Sequence, residues 1–299
     1  MSTAARQVRI GIIGGSGLGA ALTEQVRGEN VEFETPFGRP SGPIVLTRWE
    51  GVDIAFLSRH GPGHLLNPTA VPYRANIYAL KKLGITHILA SGATGSLRET
   101  IEPRHLVVCD NVIDRTVRRE STFFDQGIVA HVEFAEPFCP HLRSILSQAG
   151  QGVGTTVHHA GTYVCMEGPA FSTVAESKMN QMLGGDLIGM TCMPEAKLAR
   201  EAEICYALLA LPTDYDCWRP HEPGKTREAL LKEIISNLHA ATQNAIELLR
   251  RAVPMLAGQL DRPCTCRESL AMAIWSDKSR VEPAVVERLR PIIGRYFAA

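Results

Sequence analysis

The sequence predicts an α/β protein, a mixed and mainly parallel central sheet flanked by helices. Three observations carry that expectation. Short apolar runs alternate with segments of helical period along most of the chain. The first run, Val8 to Ile13, opens onto Gly14-Gly15-Ser16-Gly17-Leu18-Gly19, a strand-end turn that gathers backbone amides where α/β proteins hold anions. No linker rich in Gly, Pro or Ser divides the chain into two cores.

The elements follow in order. Ile44 to Arg48 and Ile54 to Ser58 read as strands joined by a hairpin at Glu50-Gly51, and the second runs into Arg59-His60-Gly61. Pro72 to Leu83 has a helical apolar face, stopped by Gly84. The strand Ile85 to Ala90 ends in Ser91-Gly92-Ala93-Thr94-Gly95-Ser96, and Leu106 to Asp110 is a third strand. Arg115 to Glu136 is polar and aperiodic, more loop than element. Pro140 to Ala149, Ser172 to Leu183 and Pro194 to Glu203 read as helices; Thr155 to Met166, Asp186 to Thr191 and Ile204 to Leu211 read as strands. Arg227 to Val253 keeps helical spacing until Pro254 ends it, and a further helix is expected over Val285 to Phe297. The chain thus divides into a domain of residues 1–260 and a tail of residues 261–299 that carries Cys264-Thr265-Cys266.

Composition narrows the functions. The 299 residues are 45% hydrophobic and 21% charged, enough to bury a large core. Lys plus Arg is 31 and Asp plus Glu is 31, a net charge of zero with no basic run to grip a nucleic acid backbone. No segment reaches the ~18 apolar residues of a membrane span, and residues 1–7 lack the pattern of a leader, so a cytoplasmic protein is expected. Six of the eight cysteines stand singly among apolar or small residues, as reduced core thiols do; Cys264 and Cys266 stand apart. His131, Glu133, His158, His159 and the CxC pair lack the spacing of a zinc motif, so no metal site is expected.

Chemistry gathers at strand ends: Gly15-Ser16, Arg59-His60, Ala93-Thr94, Met190-Thr191 and Asp214-Tyr215-Asp216. In a mainly parallel sheet these can converge on one crevice. Arg59 offers a planar fork to an oxyanion, helped by the hydroxyls of Ser16 and Thr191. Asp214 and Asp216, two residues apart on an extended segment, point to one side and suit a heterocycle with ring N–H and amino groups. Taken singly, Arg59 could be a buried ion-pair partner, His60 a core histidine and the Asp pair a cap. Gly15-Ser16-Gly17-Leu18-Gly19-Ala20, with Glu32 or Glu34 downstream, also fits a permissive dinucleotide fingerprint, so a nicotinamide or flavin oxidoreductase is a rival. A non-catalytic nucleoside-binding module is another.

Strings from about Val8 to about Leu249 together resemble the trimeric purine nucleoside phosphorylases, and within them the 5′-methylthioadenosine phosphorylases. They are IGIIGGSGL, TPFGRPS, SRHG, NPTAVPYRANIYALKKLGITHILASGATGSLRE, VIDRT, AEPFCP, MEGPAFST, IGMTCMPEAKLAREAEICYA and TDYDCW, in order. The resemblance implies the single-domain phosphorylase fold and a pentosyltransferase that splits 5′-methylthioadenosine with phosphate, giving adenine and 5-methylthioribose 1-phosphate, a step of purine and methionine salvage. Activity on adenosine, inosine or methylthioinosine is the nearest alternative. It implies no cofactor, phosphate being a co-substrate, and a homo-oligomer, a trimer or a hexamer.

By motif position, the resemblance implies phosphate contacts from Ser16, Arg59, His60, Gly92, Ala93 and Thr191, with His60 and Asp214 catalytic. Met190 corresponds to the residue beside the ribose, Phe171 to the aromatic near the base, and Asp214, Tyr215 and Asp216 to the base-facing motif. His131 corresponds to a histidine that reaches the 5′ substituent from a neighbouring subunit, and Ser172 and Arg227 to specificity positions. Relatives selective for 6-oxopurines carry Asn where this chain has Asp214, which argues for an adenine-type base. Gly92 stands where many relatives have Thr or Ser, and Arg227 where a small apolar residue is usual. The CxC pair resembles one that can form a disulfide in some archaeal and bacterial members; because the ring is strained and a cytosol is reducing, a labile bond at most is expected, two nearby thiols being the other reading.

Overall fold

The computed structural model describes residues 8–25, 27–220 and 224–297. Its strands are β1 (Ile10–Gly14), β2 (Glu29–Val31), β3 (Ile44–Trp49), β4 (Val52–Ser58), β5 (His87–Ser96), β6 (Leu106–Val108), β7 (Asn111–Arg115), β8 (Val157–His158), β9 (Thr162–Met166), β10 (Leu187–Gly189) and β11 (Cys205–Asp214). Its helices are α1 (Leu18–Gln25), α2 (Tyr73–Lys82), α3 (Pro140–Gly150), α4 (Val174–Met182), α5 (Cys192–Glu201), α6 (Arg227–Ala257), α7 (Pro283–Arg288) and α8 (Arg290–Ile293).

One sheet holds all eleven strands. β1 runs parallel to β4 and β5, β5 to β11, β10 to β9, β9 to β7 and β6 to β8. Antiparallel pairings join β2 to β3, β3 to β4, β5 to β10 and β6 to β11. The sheet is therefore mixed and mainly parallel, as the sequence predicts. The hairpin at Glu50-Gly51 forms with φ of 49° and 77°, the two left-handed residues that a tight two-residue turn needs.

The core lies on both faces. Along β11, Cys205, Ala207, Leu209 and Leu211 pack toward α1, α3 and α6, while Tyr206, Leu208 and Ala210 pack toward α2 and α5. This period-two division is what a strand buried on both faces requires, and it explains the unbroken apolar run.

The strand β5 positions the site. It pairs with β11 along its length, but on its other edge β1 accompanies it only to Ala90 and β10 takes over at Gly95. From Ser91 to Thr94 that edge has no strand partner, so apart from the Ser91 carbonyl, which Arg59 takes, its peptide groups are free of ladder bonds. The small residues there read as a strand-end loop in the sequence, yet they continue the strand. A register shift in β11 between Pro212 and Asp214 marks a bulge opposite Thr94 and Gly95, the local twist that turns the Asp214 end.

Other expectations are corrected. The helix Leu18–Gln25, after the glycine turn, and β7, which ends where the aperiodic segment begins, have no counterpart in the sequence reading. Pro254 does not end α6: it sits in the last turn, and the helix continues to Ala257. The single helix expected over Val285 to Phe297 is broken, because Pro291 starts a new turn after Leu289.

The C-terminal segment is packed against the body. Leu270, Ala273, Leu289, Ile292 and Ile293 are buried in one cluster with Ile77, Tyr78 and Tyr206, and the Tyr78 hydroxyl donates to the Arg288 carbonyl at 2.9 Å. Leu289, fully buried, is expected on truncation to Ala to cost about 2–5 kcal/mol, as core leucines do. Urea unfolding checks this, and an effect below about 0.5 kcal/mol would show the segment to be energetically detached.

Candidate active site

Strand ends meet around a cleft of about 410 Å³, an ordinary size for a small-molecule site. Of the residues singled out from the sequence, Ser16, His60, Gly92, Ala93, Phe171, Ser172, Met190, Thr191, Asp214 and Asp216 line it. Convergence of this kind follows from the parallel sheet, whose carboxyl ends share one side.

Arg59 does not offer its fork to the cleft; it is the buried ion-pair partner that the sequence leaves open as an alternative. Its side chain is fully buried beneath the glycine turn, with Nε and Nη2 each donating to Glu195 at 2.7 Å and Nη1 donating to the Ser91 carbonyl at 2.7 Å. Burial disfavours its charge, but Glu195 outweighs that and keeps the guanidinium protonated more firmly than an ordinary arginine. A Cβ on Gly15 would lie 2.6 Å from Arg59 Nη1 and 2.7 Å from the Ser91 oxygen, so only glycine lets the turn lie on this pair.

His60 does face the cleft. Its Nδ1 lies 2.8 Å from the Leu66 carbonyl, which can only accept, so Nδ1 carries the proton and Nε2 of the neutral ring is an acceptor. Burial, reinforced by the Arg59 charge and His64, pulls the imidazole from its usual 6.5 to about 4. His64, a cleft residue without motif spacing to announce it, stacks on His60 at 4.2 Å.

The far end of the cleft is acidic. Asp214 Oδ2 accepts from the Thr213 hydroxyl at 2.7 Å, and Oδ1 accepts from the Asp216 amide at 2.7 Å. The two carboxylates share the cleft, though not by strand alternation: β11 stops at Asp214, and Asp216 sits at φ 51°, held in a turn by that amide bond. Gly95 makes room for both, since a Cβ there would lie 3.1 Å from Asp216 Cβ and 3.3 Å from Asp214 Oδ1. Asp216 Oδ2 and Thr94 Oγ1 are buried in the cleft wall without a hydrogen-bond partner, an arrangement that a polar ligand would satisfy.

Besides Arg59, three sequence candidates lie outside the lining. Tyr215 turns away, its hydroxyl 3.5 Å from the Glu99 carbonyl and its ring under Arg219. Arg227 is exposed at the first turn of α6. His131 is exposed and packs edge-on against Trp275 with ring centroids 4.8 Å apart. Gly92 is not sterically demanded, because a Cβ there would meet only Thr191 Oγ1, at 3.5 Å.

Some functional positions escape sequence reading. Ile234 and Leu238 have core-like helical spacing but line the cleft. Arg119, in the aperiodic segment, donates through Nη1 to the Met190 and Met193 carbonyls at 2.6 and 2.5 Å and through Nη2 to Glu167 O at 2.6 Å. It thereby fixes the Met190 corner. Glu167 is burdened by partial burial, but hydrogen bonds from Thr69, the Val117 and Arg118 amides and Arg119 pull it down to about 2.

The dinucleotide rival loses its geometry. Glu32 and Glu34 are exposed, and a Cβ on Gly17 would meet Thr242 Oγ1 of α6 at 2.4 Å, so protein closes over the glycine turn. Comparison with known proteins points elsewhere. Residues 9–254 match the family model of the phosphorylase superfamily. The S-methyl-5′-thioadenosine phosphorylase of Chloroflexus aurantiacus is 48% identical over 290 residues, 97% of this chain and 98% of that one. The enzyme of that name from Xenopus tropicalis is 46% identical over 84% of this chain and 89% of its own. A crystal structure of methylthioadenosine phosphorylase from an antarctic soil metagenomic library superposes with TM-score 0.87 at 44% identity, covering 96% of this chain and 99% of that chain. A mutant of the adenosine/methylthioadenosine phosphorylase of Schistosoma mansoni, in complex with methylthioadenosine, gives 0.76 at 33% identity over 96% and 98%.

The neutral His60 ring has a thermodynamic signature. Its folded value lies below its unfolded one, so the unfolded chain takes up the proton first as pH falls. Its contribution to stability is complete above about pH 6.5 and is lost on the way down to about pH 4. Urea midpoints measured across that window are expected to fall for the native chain and to fall less for His60→Asn; equal falls would remove His60 from this account.

Proposed function

The chain belongs to the phosphorylase superfamily, and we propose that it is a methylthioadenosine phosphorylase, cleaving 5′-methylthioadenosine with inorganic phosphate to adenine and 5-methylthioribose 1-phosphate. The observation that carries this reading is one cleft with an oxyanion end and an acidic end. At the first, the Ser16 and Thr191 hydroxyls, the open β5 edge at Gly92 and Ala93, and the His60 Nε2 acceptor surround the place for phosphate. A monoprotonated phosphate donates its hydrogen to Nε2, while amides and hydroxyls hold its remaining oxygens. Arg59, itself paired with Glu195, holds the turn and the β5 edge around the phosphate.

As the bond from the anomeric carbon to N9 breaks, its electron pair passes to the purine and a phosphate oxygen forms the new bond to carbon. The phosphate beside the cationic sugar lowers the barrier by placement and charge. Asp214, protonated, hydrogen-bonds N7 and passes its proton as negative charge builds on the base. Asp216 Oδ2 accepts from the 6-amino group. Met190 flanks the ribose, Phe171 the base, and the hydrocarbon of Ile234 and Leu238 suits a methylthio group better than a hydroxyl. No cofactor is needed, and the products feed purine and methionine salvage.

Base release from methylthioadenosine is expected to require phosphate, and kcat/KM for it to exceed that for adenosine by roughly 10-fold or more. Asp214→Asn should lower kcat/KM for 6-aminopurine nucleosides relative to 6-oxopurine ones by about 10²-fold. Comparison of methylthioadenosine, adenosine, inosine and methylthioinosine on both proteins checks this; phosphate-independent release, or an unchanged ratio, contradicts it.

The same reading makes the enzyme a homotrimer in the cytoplasm. Val129, Met272 and Trp275 form an exposed apolar surface beside His131, and the backbone bonds Trp275 N to Val129 O and His131 N to Ala273 O, at 3.0 and 2.9 Å, hold it together. A second copy covering that surface would bring His131 to a neighbour's 5′ end. Sedimentation equilibrium is expected to give three times the 32.6 kDa chain mass; a monomer at micromolar concentration would refute the shared site.

A further inference from the structure

Outside the cleft, the fold assembles four thiols that the proposed reaction does not use. Cys139 precedes α3, Cys205 begins β11, and Cys264 and Cys266 bracket the start of the 3-10 turn Thr265–Glu268. Their sulfurs all lie within 4.8 Å of one another, and Cys139 Sγ to Cys264 Sγ is 3.6 Å. Cys139 and Cys205 are fully buried and Cys266 nearly so. Backbone hydrogen bonds fix two of them in place: the Cys139 amide donates to Tyr206 O at 2.8 Å and the Cys205 amide to Thr86 O at 3.0 Å.

A tetrahedral ion with zinc–sulfur bonds of about 2.3 Å sets its sulfurs about 3.8 Å apart. The 3.6 Å pair fits that spacing, and the outer limit of 4.8 Å needs only small side-chain rotations to close. A disulfide requires about 2.05 Å and joins sulfurs two at a time, so it gives no reason for four to meet at one point. An iron–sulfur cluster would place its thiolates outside a body of iron and sulfide, for which four mutually touching sulfurs leave no space.

We propose that Cys139, Cys205, Cys264 and Cys266 form a tetrathiolate site for one zinc ion, which clamps the C-terminal segment to the end of β11 opposite the cleft. On binding, four S–H bonds give way to four zinc–sulfur bonds, four protons pass to solvent, and no electrons are transferred. With all four positions taken by protein, the ion has no open position for substrate and acts structurally.

The test uses the full chain, reduced and handled without oxygen. Titration with zinc against a chromophoric chelator is expected to show one tight equivalent, and cobalt in its place should give the thiolate charge-transfer and tetrahedral ligand-field bands of a four-sulfur site. Cys264→Ser, at the partly exposed corner, should retain the circular dichroism of the native chain while losing those bands and weakening zinc binding at least 100-fold. Cys266→Ser provides an independent second variant. Absence of tight binding overturns the proposal, as do cobalt bands unchanged by either variant. So does a mass lower by two or four hydrogens, marking disulfides, that persists in protein isolated from reducing cells under reductant and then refuses zinc.

Discussion

The pair formed by Arg59 and Glu195 holds the site together. Both side chains are buried, and their two hydrogen bonds join the end of β4 to α5. The same guanidinium reaches the Ser91 carbonyl of β5, and the same carboxylate accepts from the Tyr206 hydroxyl of β11 at 2.8 Å. Four elements thus meet at one charge pair below the glycine turn. A buried ion pair carries a desolvation cost of several kcal/mol per ion, so its presence is poor evidence of stability for its own sake. Here it fixes geometry: it supports the turn that carries Ser16 and orients the Ser91 peptide where the open edge of β5 begins.

From that open edge the cleft takes its polarity. One strand presents peptide groups, small residues and Thr94 to the oxyanion end, then passes through Gly95 to reach the two aspartates. A partner strand along Ser91 to Thr94 would consume those peptide groups; a side chain at Gly95 would crowd the carboxylates. The division between anion and base is therefore made by which strands stop where, before any catalytic side chain is considered. Arg119 completes it from outside by pinning the Met190 corner.

Much of this was legible in the sequence, because period-two and period-3.6 patterns report burial and the strand-end residues report the crevice. What escaped has physical reasons. Ser91 to Ser96 lacks the bulk that marks a strand, and Pro254 sits where only one hydrogen bond of α6 is forfeited. Ile234 and Leu238 show that an apolar stripe has the same spacing whether it faces a core or a cavity. Arg59 is legible either as an oxyanion fork or as a buried ion-pair partner, and what decides between them is Glu195, 136 residues away. Cys139, Cys205 and the CxC pair are scattered in the same way, and no spacing rule connects them.

The packing of the C-terminal segment has a consequence for how this molecule is delimited. The inherited pattern shared with the superfamily stops at residue 254, yet Leu270, Leu289, Ile292 and Ile293 fill space beside Ile77 and Tyr206. The segment common to the superfamily and the unit that folds are of different lengths. A chain cut at the boundary of the shared pattern would keep every residue of the cleft and lose part of the wall behind it.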